Sequence, residues 1–96
     1  MHTIRAIIEQ VRSYHPQVDE QLLLRASDFI SRAQREQKKT DGHDCLQHSL
    51  EVASILVRMK VDETTLVVGL LHDALAGSVI TAEELADWIE KHVGAS

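Results

Sequence analysis

The residues from Leu66 to Leu75 are apolar around almost the whole circumference of a helix, and only His72 and Asp73 interrupt them. A helix of this kind is stable in water only when other elements surround it. Leu66 to Leu71 alone would also suit a buried strand, but the length of the apolar run favours a helix. Asp62 supports this choice, because aspartate is a preferred N-cap residue. The segment predicts a central, buried helix.

Four other segments carry apolar residues at the three- and four-residue spacing of an amphipathic helix. The first segment ends near Pro16, and the second follows the candidate N-cap Asp19. The third runs from about 44 to 59. Thr81 and Glu84 have the capping-box form that starts the fifth helix. No alternating strand pattern occurs. The prediction is an all-α fold, a compact bundle of about five helices. The apolar stripes of the first three helices are Ile4, Ile7, Ile8, Val11; Leu22, Ala26, Phe29, Ile30, Ala33; and Leu46, Leu50, Ala53, Leu56, Val57.

The composition predicts one small domain covering residues 1–96. Fifteen acidic and ten basic residues give a net charge of −5, which opposes binding to nucleic acid and to anionic membranes. Cys45 is the single cysteine, so no internal disulfide can form, and this favours the cytoplasm. Arg5 and Glu9 interrupt the first apolar residues, so we expect no signal peptide, and no apolar run is long enough to span a bilayer.

The last predicted helix reaches almost to the end of the chain, and Gly94-Ala95-Ser96 adds nothing that would close a core over it. We therefore expect the domain to be truncated at its C-terminus. An incomplete bundle exposes apolar surface, so a second copy of the chain or another partner is expected to cover that side.

The adjacent residues His72 and Asp73 stand out because ionisable groups in an apolar helix need a partner or a metal. His48, on the inner part of the third helix, is the candidate for a third ligand. Two imidazoles and one carboxylate would suit manganese, iron or zinc. The alternative is that Asp73 orients a neighbouring histidine or pairs with an arginine. A second metal set, His43 and Cys45 with His48, lacks a fourth ligand at zinc-finger spacing.

Three runs, Gln47–Leu56, Val61–Leu66 and Gly69–Asp73, resemble in order and spacing the HD domain of the RelA/SpoT family. The resemblance extends from about Tyr14 to the end of the chain and includes the helix that starts at Thr81. It implies an all-helical bundle that hydrolyses the alarmone (p)ppGpp, releasing the 3′-pyrophosphate with a bound manganese ion. The expected partner is therefore guanosine tetraphosphate or a related nucleotide.

The resemblance also implies roles for individual residues. His48, His72 and Asp73 match three metal-binding positions of the family. Two residues after its His-Asp pair, however, the family carries a Glu-Asp pair, and this chain has Ala76 and Gly77 there. Both lie one helical turn beyond the His-Asp pair, and neither can accept a proton. A positioned general base contributes about 10²–10⁴-fold to hydrolysis, so we expect impaired or lost activity, as in a pseudoenzyme.

Other departures lie in the loop before the third helix and beyond the end of the chain. Of the family's Arg-Lys-Ser-Gly-Glu-Pro-Tyr-Ile stretch, residues 39–46 keep only the basic first position and Gly42. Ser49 replaces a proline that follows the first metal histidine, which relaxes the backbone there. The family's fourth metal ligand, a downstream aspartate, and the synthetase domain have no counterpart in the chain. Lys38 and Lys39 are candidate phosphate contacts, although such a charge run is more often solvated surface.

Three functions are compatible with these residues. The first is a (p)ppGpp-hydrolase-type HD domain of the stringent response with impaired activity and a manganese or other divalent metal. The second is a non-catalytic regulatory or oligomerisation module in which the His-Asp pair is a relic of ancestry. The third is a metal-dependent HD phosphohydrolase acting on another nucleotide.

Overall fold

In the computed structural model, residues 3–37 and 45–94 are described. They form five α-helices: α1 (Ile4–Tyr14), α2 (Glu20–Gln37), α3 (Cys45–Arg58), α4 (Glu63–Ala76) and α5 (Ala82–Ile89). A π-helical segment, Glu90–Gly94, continues α5. No strand occurs within these residues. The all-α prediction of about five helices is confirmed.

Local capping explains where most helices start. The Thr3 hydroxyl accepts a hydrogen bond from the backbone N–H of Ala6 at the start of α1. Asp19 accepts one from Leu22 at the start of α2, and Asp62 accepts one from Thr65 at the start of α4. Each carboxylate or hydroxyl satisfies an amide that has no partner within its helix. The predicted N-caps Asp19 and Asp62 are thus confirmed.

The predicted capping box at the start of α5 is also present. The Thr81 hydroxyl accepts from the Glu84 amide at 3.1 Å, and the Glu84 carboxylate accepts from the Thr81 amide at 2.9 Å. This reciprocal pair satisfies two free amides at once.

The central helix is α4, as its apolar character predicts. Its buried residues pack against α2 and α3. Gly69 allows α3 to come close, because a Cβ atom at this position would lie 3.0 Å from Leu56 Cδ1. The buried residues of α4 are Leu66, Val67, Leu70, Leu71 and Ala74.

Aromatic side chains attach the outer helices α1 and α5 to the rest of the bundle. The hydroxyl of Tyr14, at the end of α1, donates to the carbonyl of Val61 at 2.6 Å and so ties α1 to the turn between α3 and α4. On α5, Trp88 is buried and stacks on Phe29 of α2, with ring centroids 6.1 Å apart. Both aromatic residues therefore pack in or against the core, as the predicted apolar stripe of the second helix indicates for Phe29. Within the described ranges, no helix is both long and apolar enough to cross a bilayer.

Candidate functional site

The candidate site lies where the start of α3 meets the end of α4. These helices run in opposite directions, since Ser49 near the start of α3 contacts Asp73 near the end of α4, whereas Leu56 near the end of α3 lies beside Gly69. The short turn between the helices imposes this arrangement. It brings two of the predicted site residues, His48 and Asp73, into contact although 25 positions separate them.

Asp73 is the centre of a small hydrogen-bonded cluster, which we call the Asp73 cluster (His48, Ser49 and Asp73). Its Oδ2 atom lies 2.9 Å from His48 Nδ1 and accepts a hydrogen bond from the Ser49 hydroxyl at 2.8 Å. The Asp73 side chain is 19% exposed and that of His48 is 50% exposed, while Ser49 is completely buried. The cluster therefore spans the boundary between core and solvent.

Asp73 also changes the acid–base behaviour of its neighbour. The hydrogen bond to Asp73, together with the negative charge of that carboxylate, raises the pKa of His48 above its usual value. The charged imidazolium is favoured, because it donates to the carboxylate and is attracted by it.

His72 does not join this cluster. The apolar surroundings of α4 suggested that His72 and Asp73 are both enclosed, and for His72 this is wrong because its side chain is exposed. Neighbouring residues of a helix point about 100° apart. Asp73 faces α3, so His72 faces solvent.

The metal predicted from the resemblance requires more donors than the structure brings together. Imidazole and carboxylate are suitable ligands for manganese, iron or zinc. Among the described residues, however, no group of three or more histidine, cysteine, aspartate or glutamate side chains is arranged to hold a metal ion. The described donor set does not fit a closed metal centre. The roles of His48, His72 and Asp73 as ligands stay predictions.

The end of α4 carries no carboxylate next to the cluster. Ala76 is the last residue of α4 and Gly77 is its C-cap, and both are exposed. The Gly77 amide donates to the Asp73 carbonyl at 3.0 Å, so this glycine lies one turn beyond Asp73, as predicted. A hydrogen and a methyl group occupy the two positions where the resemblance implies an acidic pair.

Several other candidate residues lie outside the described part of the chain. Lys38 and Lys39, proposed to contact phosphate, are among them, and so are His43 and the side chain of Cys45. Their predicted roles stay predictions.

Two surface clefts are lined by other residues. One, of 460 Å³, lies between α2 and α5 and includes Phe29, Trp88 and His92. The other, of 410 Å³, lies between α1 and the end of α3 and includes Tyr14 and Arg58. Neither is lined by His48, His72 or Asp73.

Sequence reasoning gave Ser49 only the role of relaxing the backbone, and the structure gives its hydroxyl a direct contact with Asp73. The sequence feature that could have indicated this contact is a polar residue, Ser49, on the inner side of α3 next to His48. His92 was also passed over, and its ring packs on Trp88 with centroids 4.4 Å apart. A four-residue spacing from a tryptophan was the signal for that contact.

Comparison with known proteins identifies the family. The family model described as "HD domain" matches residues 26–96. The "GTP pyrophosphokinase rsh" of Brucella melitensis is 35% identical over 88 residues, which cover 92% of this chain and 12% of that protein. The chain belongs to the HD-domain family, in its RelA/SpoT branch.

Two further relatives of this HD domain carry related names. The "GTP pyrophosphokinase" of Myxococcus xanthus is 38% identical over 80% of this chain. The "guanosine-3′,5′-bis(diphosphate) 3′-pyrophosphohydrolase" of Aquifex aeolicus is 34% identical over 83% of it. The chain spans only 10% and 11% of these two proteins. No solved structure matches it. HD domains in general are metal-dependent.

Proposed function

We propose that this HD domain binds a guanosine 3′,5′-bis(diphosphate)-type nucleotide and has impaired or lost pyrophosphohydrolase activity. The nucleotide class is supported by the Aquifex aeolicus relative, whose name specifies that substrate. The observation that carries the loss of activity is the end of α4, where Ala76 and Gly77 follow the Asp73 cluster. A water molecule beside Ala76 and Gly77 lacks both carboxylates of the acidic pair that the family resemblance implies, which removes a general-base contribution of about 10²–10⁴-fold.

The Asp73 cluster supplies binding chemistry without that base. The half-exposed imidazole of His48, with its raised pKa, offers a cationic donor to a phosphate oxygen. Manganese(II) or another divalent cation is the cofactor that the family implies. Of the candidate donors for such a cation, the described residues bring His48 and Asp73 into contact.

Calorimetry and a pyrophosphate-release assay on the 96-residue chain, with manganese present, test both halves of the proposal. We expect ppGpp to bind more tightly than GDP, which lacks the 3′-diphosphate. We expect its turnover to be at least about 10²-fold below that of the Aquifex aeolicus relative assayed in parallel. Equal turnover by the two proteins would disprove impaired hydrolysis, and equal affinity for ppGpp and GDP would disprove recognition of the 3′-diphosphate.

The double variant Ala76→Glu/Gly77→Asp and the variant Asp73→Asn provide matched controls. The first restores the acidic pair and should raise turnover if the missing base is the cause. The second removes the carboxylate that holds His48 and should weaken ppGpp binding. A double variant with unchanged low turnover would contradict the missing base as the explanation.

A second candidate function is a non-catalytic interaction module, and three exposed apolar residues, one on α3, one just after it and one on α4, favour it; we propose that they form one patch. Ile55, Met59 and Val68 are 56%, 69% and 41% exposed. Single exposed apolar residues are common on a protein surface, but a contiguous patch indicates an interface. Sedimentation velocity over a range of concentrations tests self-association through this patch. Dimers that Ile55→Ser/Met59→Ser abolishes would support it, and a monomer at all concentrations would contradict it.

A further inference from the structure

The cleft between α2 and α5, which we call the α2–α5 cleft, is lined by no residue of the Asp73 cluster. Its volume is 460 Å³. Sites for small molecules in proteins have volumes of about 300–1,000 Å³. The residues that line each wall are three or four positions apart, so each wall is one face of a helix. The cleft is therefore large enough for a small organic molecule.

The aromatic side chains of the cleft form one connected surface. Trp88 is buried and stacks on Phe29, with ring centroids 6.1 Å apart. The ring of His92 packs on the same indole with centroids 4.4 Å apart, and this histidine is exposed. The aromatic surface therefore extends from the core to the solvent, and a flat ring that enters the cleft can pack against it.

Most of the charged side chains around this aromatic surface already have partners. Two ion pairs join residues four positions apart on the same wall, and one carboxylate caps the start of α5. The ion pairs are Asp28–Arg32 at 2.7 Å and Asp87–Lys91 at 3.4 Å, and the capping carboxylate is that of Glu84. These groups are thus held by their own helices.

Among the described residues that line the cleft, Arg25 is the charged residue without a partner. It is exposed on α2, one turn before Phe29. A guanidinium group binds a carboxylate through two parallel N–H···O hydrogen bonds. The cleft therefore combines an aromatic surface with one guanidinium group that is available to an anion.

We propose that the α2–α5 cleft is a binding site for a small aromatic carboxylate. The carboxylate pairs with Arg25, and the ring packs against His92 and Trp88. One unpaired cation complements a single negative charge. A phosphate monoester carries a charge of about −1.5 to −2 at pH 7, and its second charge would be repelled by the three carboxylates of the cleft. This site goes beyond the proposed function and uses none of its residues.

Phenylacetate is the probe, and the indole N–H of Trp88 is the reporter. Trp88 is the single tryptophan of the chain, so its indole signal in a ¹H–¹⁵N NMR spectrum needs no assignment. We expect a saturable shift of this signal with a Kd on the order of 1 mM, as for other ligands of about ten non-hydrogen atoms. No saturation by about 20 mM phenylacetate would overturn the proposal.

Two matched ligands separate the contributions of the charge and the ring. Phenylacetamide has the same shape without the charge and should bind about tenfold more weakly, because the charge-assisted hydrogen bonds to Arg25 are lost. Acetate has the charge without the ring and should bind at least about threefold more weakly. Equal affinity of phenylacetate for the cleft and of either matched ligand would contradict the proposed recognition.

Variants of exposed residues test the same contacts from the side of the protein. Arg25→Gln should raise the Kd for phenylacetate about tenfold, and Arg25→Lys, which keeps the charge but not the planar guanidinium, should raise it less. His92→Gln should raise it about threefold. An unchanged Kd in Arg25→Gln or in His92→Gln would overturn the assigned contact.

Arg58→Gln is the matched control. Arg58 is an exposed arginine that lines the other cleft and, within the described residues, is in no ion pair. Its replacement changes the net charge of the protein by the same amount as Arg25→Gln, so the Kd should equal that of the wild type. An equal loss of affinity in the two variants would attribute the binding to net charge and contradict a site at Arg25.

Two further measurements separate this site from the proposed nucleotide site. Phenyl phosphate should bind more weakly than phenylacetate, and tighter binding would overturn the choice of a singly charged ligand. His48→Gln should leave the Kd for phenylacetate unchanged, and a rise as large as that in Arg25→Gln would place the probe at the Asp73 cluster instead. Neither nucleotide nor metal is present, so the two proposals can fail independently.

Discussion

Asp62 shows how one side chain can both start a helix and make stability depend on pH. Its hydrogen bonds from the Thr65 side chain and backbone lower the pKa of this carboxyl below its usual value. The ionised form is therefore stabilised in the folded state. Such a group stabilises the fold above its unfolded-state pKa, and the contribution is lost as the pH falls through the folded-state pKa.

We expect Asp62→Ala to lower the free energy of unfolding by about 1 kcal/mol at pH 7, the usual effect of removing an N-cap. The difference from the wild type should shrink as the pH falls below about 4, because the wild-type carboxyl then becomes protonated. Urea unfolding at a series of pH values measures this. Asp62→Asn keeps a capping oxygen without a charge, so its stability should depend less on pH than that of the wild type. An Asp62→Ala effect of equal size at pH 3 and pH 7 would contradict the charge argument.

Residues whose roles depend on near neighbours in sequence could be predicted. The caps Asp19 and Asp62 and the Thr81 capping box satisfy amides three residues away, so the local pattern suffices. The exposure of His72 could not be predicted. A helix that is apolar nearly all round has a weak polar face, so the pattern does not say which way each residue of a polar pair points. The packing of α3 against Asp73 decides it, and that contact joins residues 25 positions apart.

At the level of the element, the end of α4 places a serine where glycine is usual. Ser78 has φ = 62°, in the left-handed region, and Gly77 before it has an ordinary φ of −81°. The Val79 amide donates to the Ala74 carbonyl and the Ser78 amide to the Leu75 carbonyl, which is the Schellman pattern. Ser78 therefore occupies the position where the conformational freedom of glycine would help, and the glycine itself lies one position earlier.

We expect Ser78→Gly to raise the free energy of unfolding by up to about 1 kcal/mol. Glycine has no Cβ atom, so it adopts the left-handed conformation without the steric strain that serine has there. Gly77→Ala should be neutral or slightly stabilising, since alanine adopts φ = −81° without strain and restricts the unfolded chain. Urea unfolding of both variants provides the comparison. Strong destabilisation by Gly77→Ala would contradict this assignment, because it would mean that Gly77 and not Ser78 has the left-handed backbone conformation in solution.

The close packing of α3 on α4 at Gly69 predicts that a larger residue at this position destabilises the fold. A Cβ atom at Gly69 would lie 3.0 Å from Leu56 Cδ1, so a larger residue must push the leucine aside. We expect Gly69→Val to cost about 1–3 kcal/mol of stability. In the double variant with Leu56→Ala the cost should be smaller than the sum of the two single effects, because the contact is removed. Simple additivity in this double-mutant cycle would contradict the crowding argument.

For the whole molecule, the question is whether the bundle can complete a metal site. The family resemblance predicted three ligands, His48, His72 and Asp73, from their order in the sequence. Order and spacing carry over between relatives, but the direction of each side chain depends on packing within the particular bundle. Here the described residues bring two of the three together, and Asp73 Oδ2 already accepts two hydrogen bonds. A cation would have to compete with these bonds.

We therefore expect manganese to stabilise the metal-stripped protein only slightly. A ligand with a dissociation constant of about 1 mM or weaker adds at most about 0.4 kcal/mol at 1 mM, or about 3 °C in Tm for a domain of this size. Thermal unfolding with and without manganese, for the wild type and for His72→Ala, is the measurement. The exposed His72 side chain should make no difference to the manganese effect. A rise of about 10 °C that His72→Ala abolishes would show that a third donor joins His48 and Asp73 in solution.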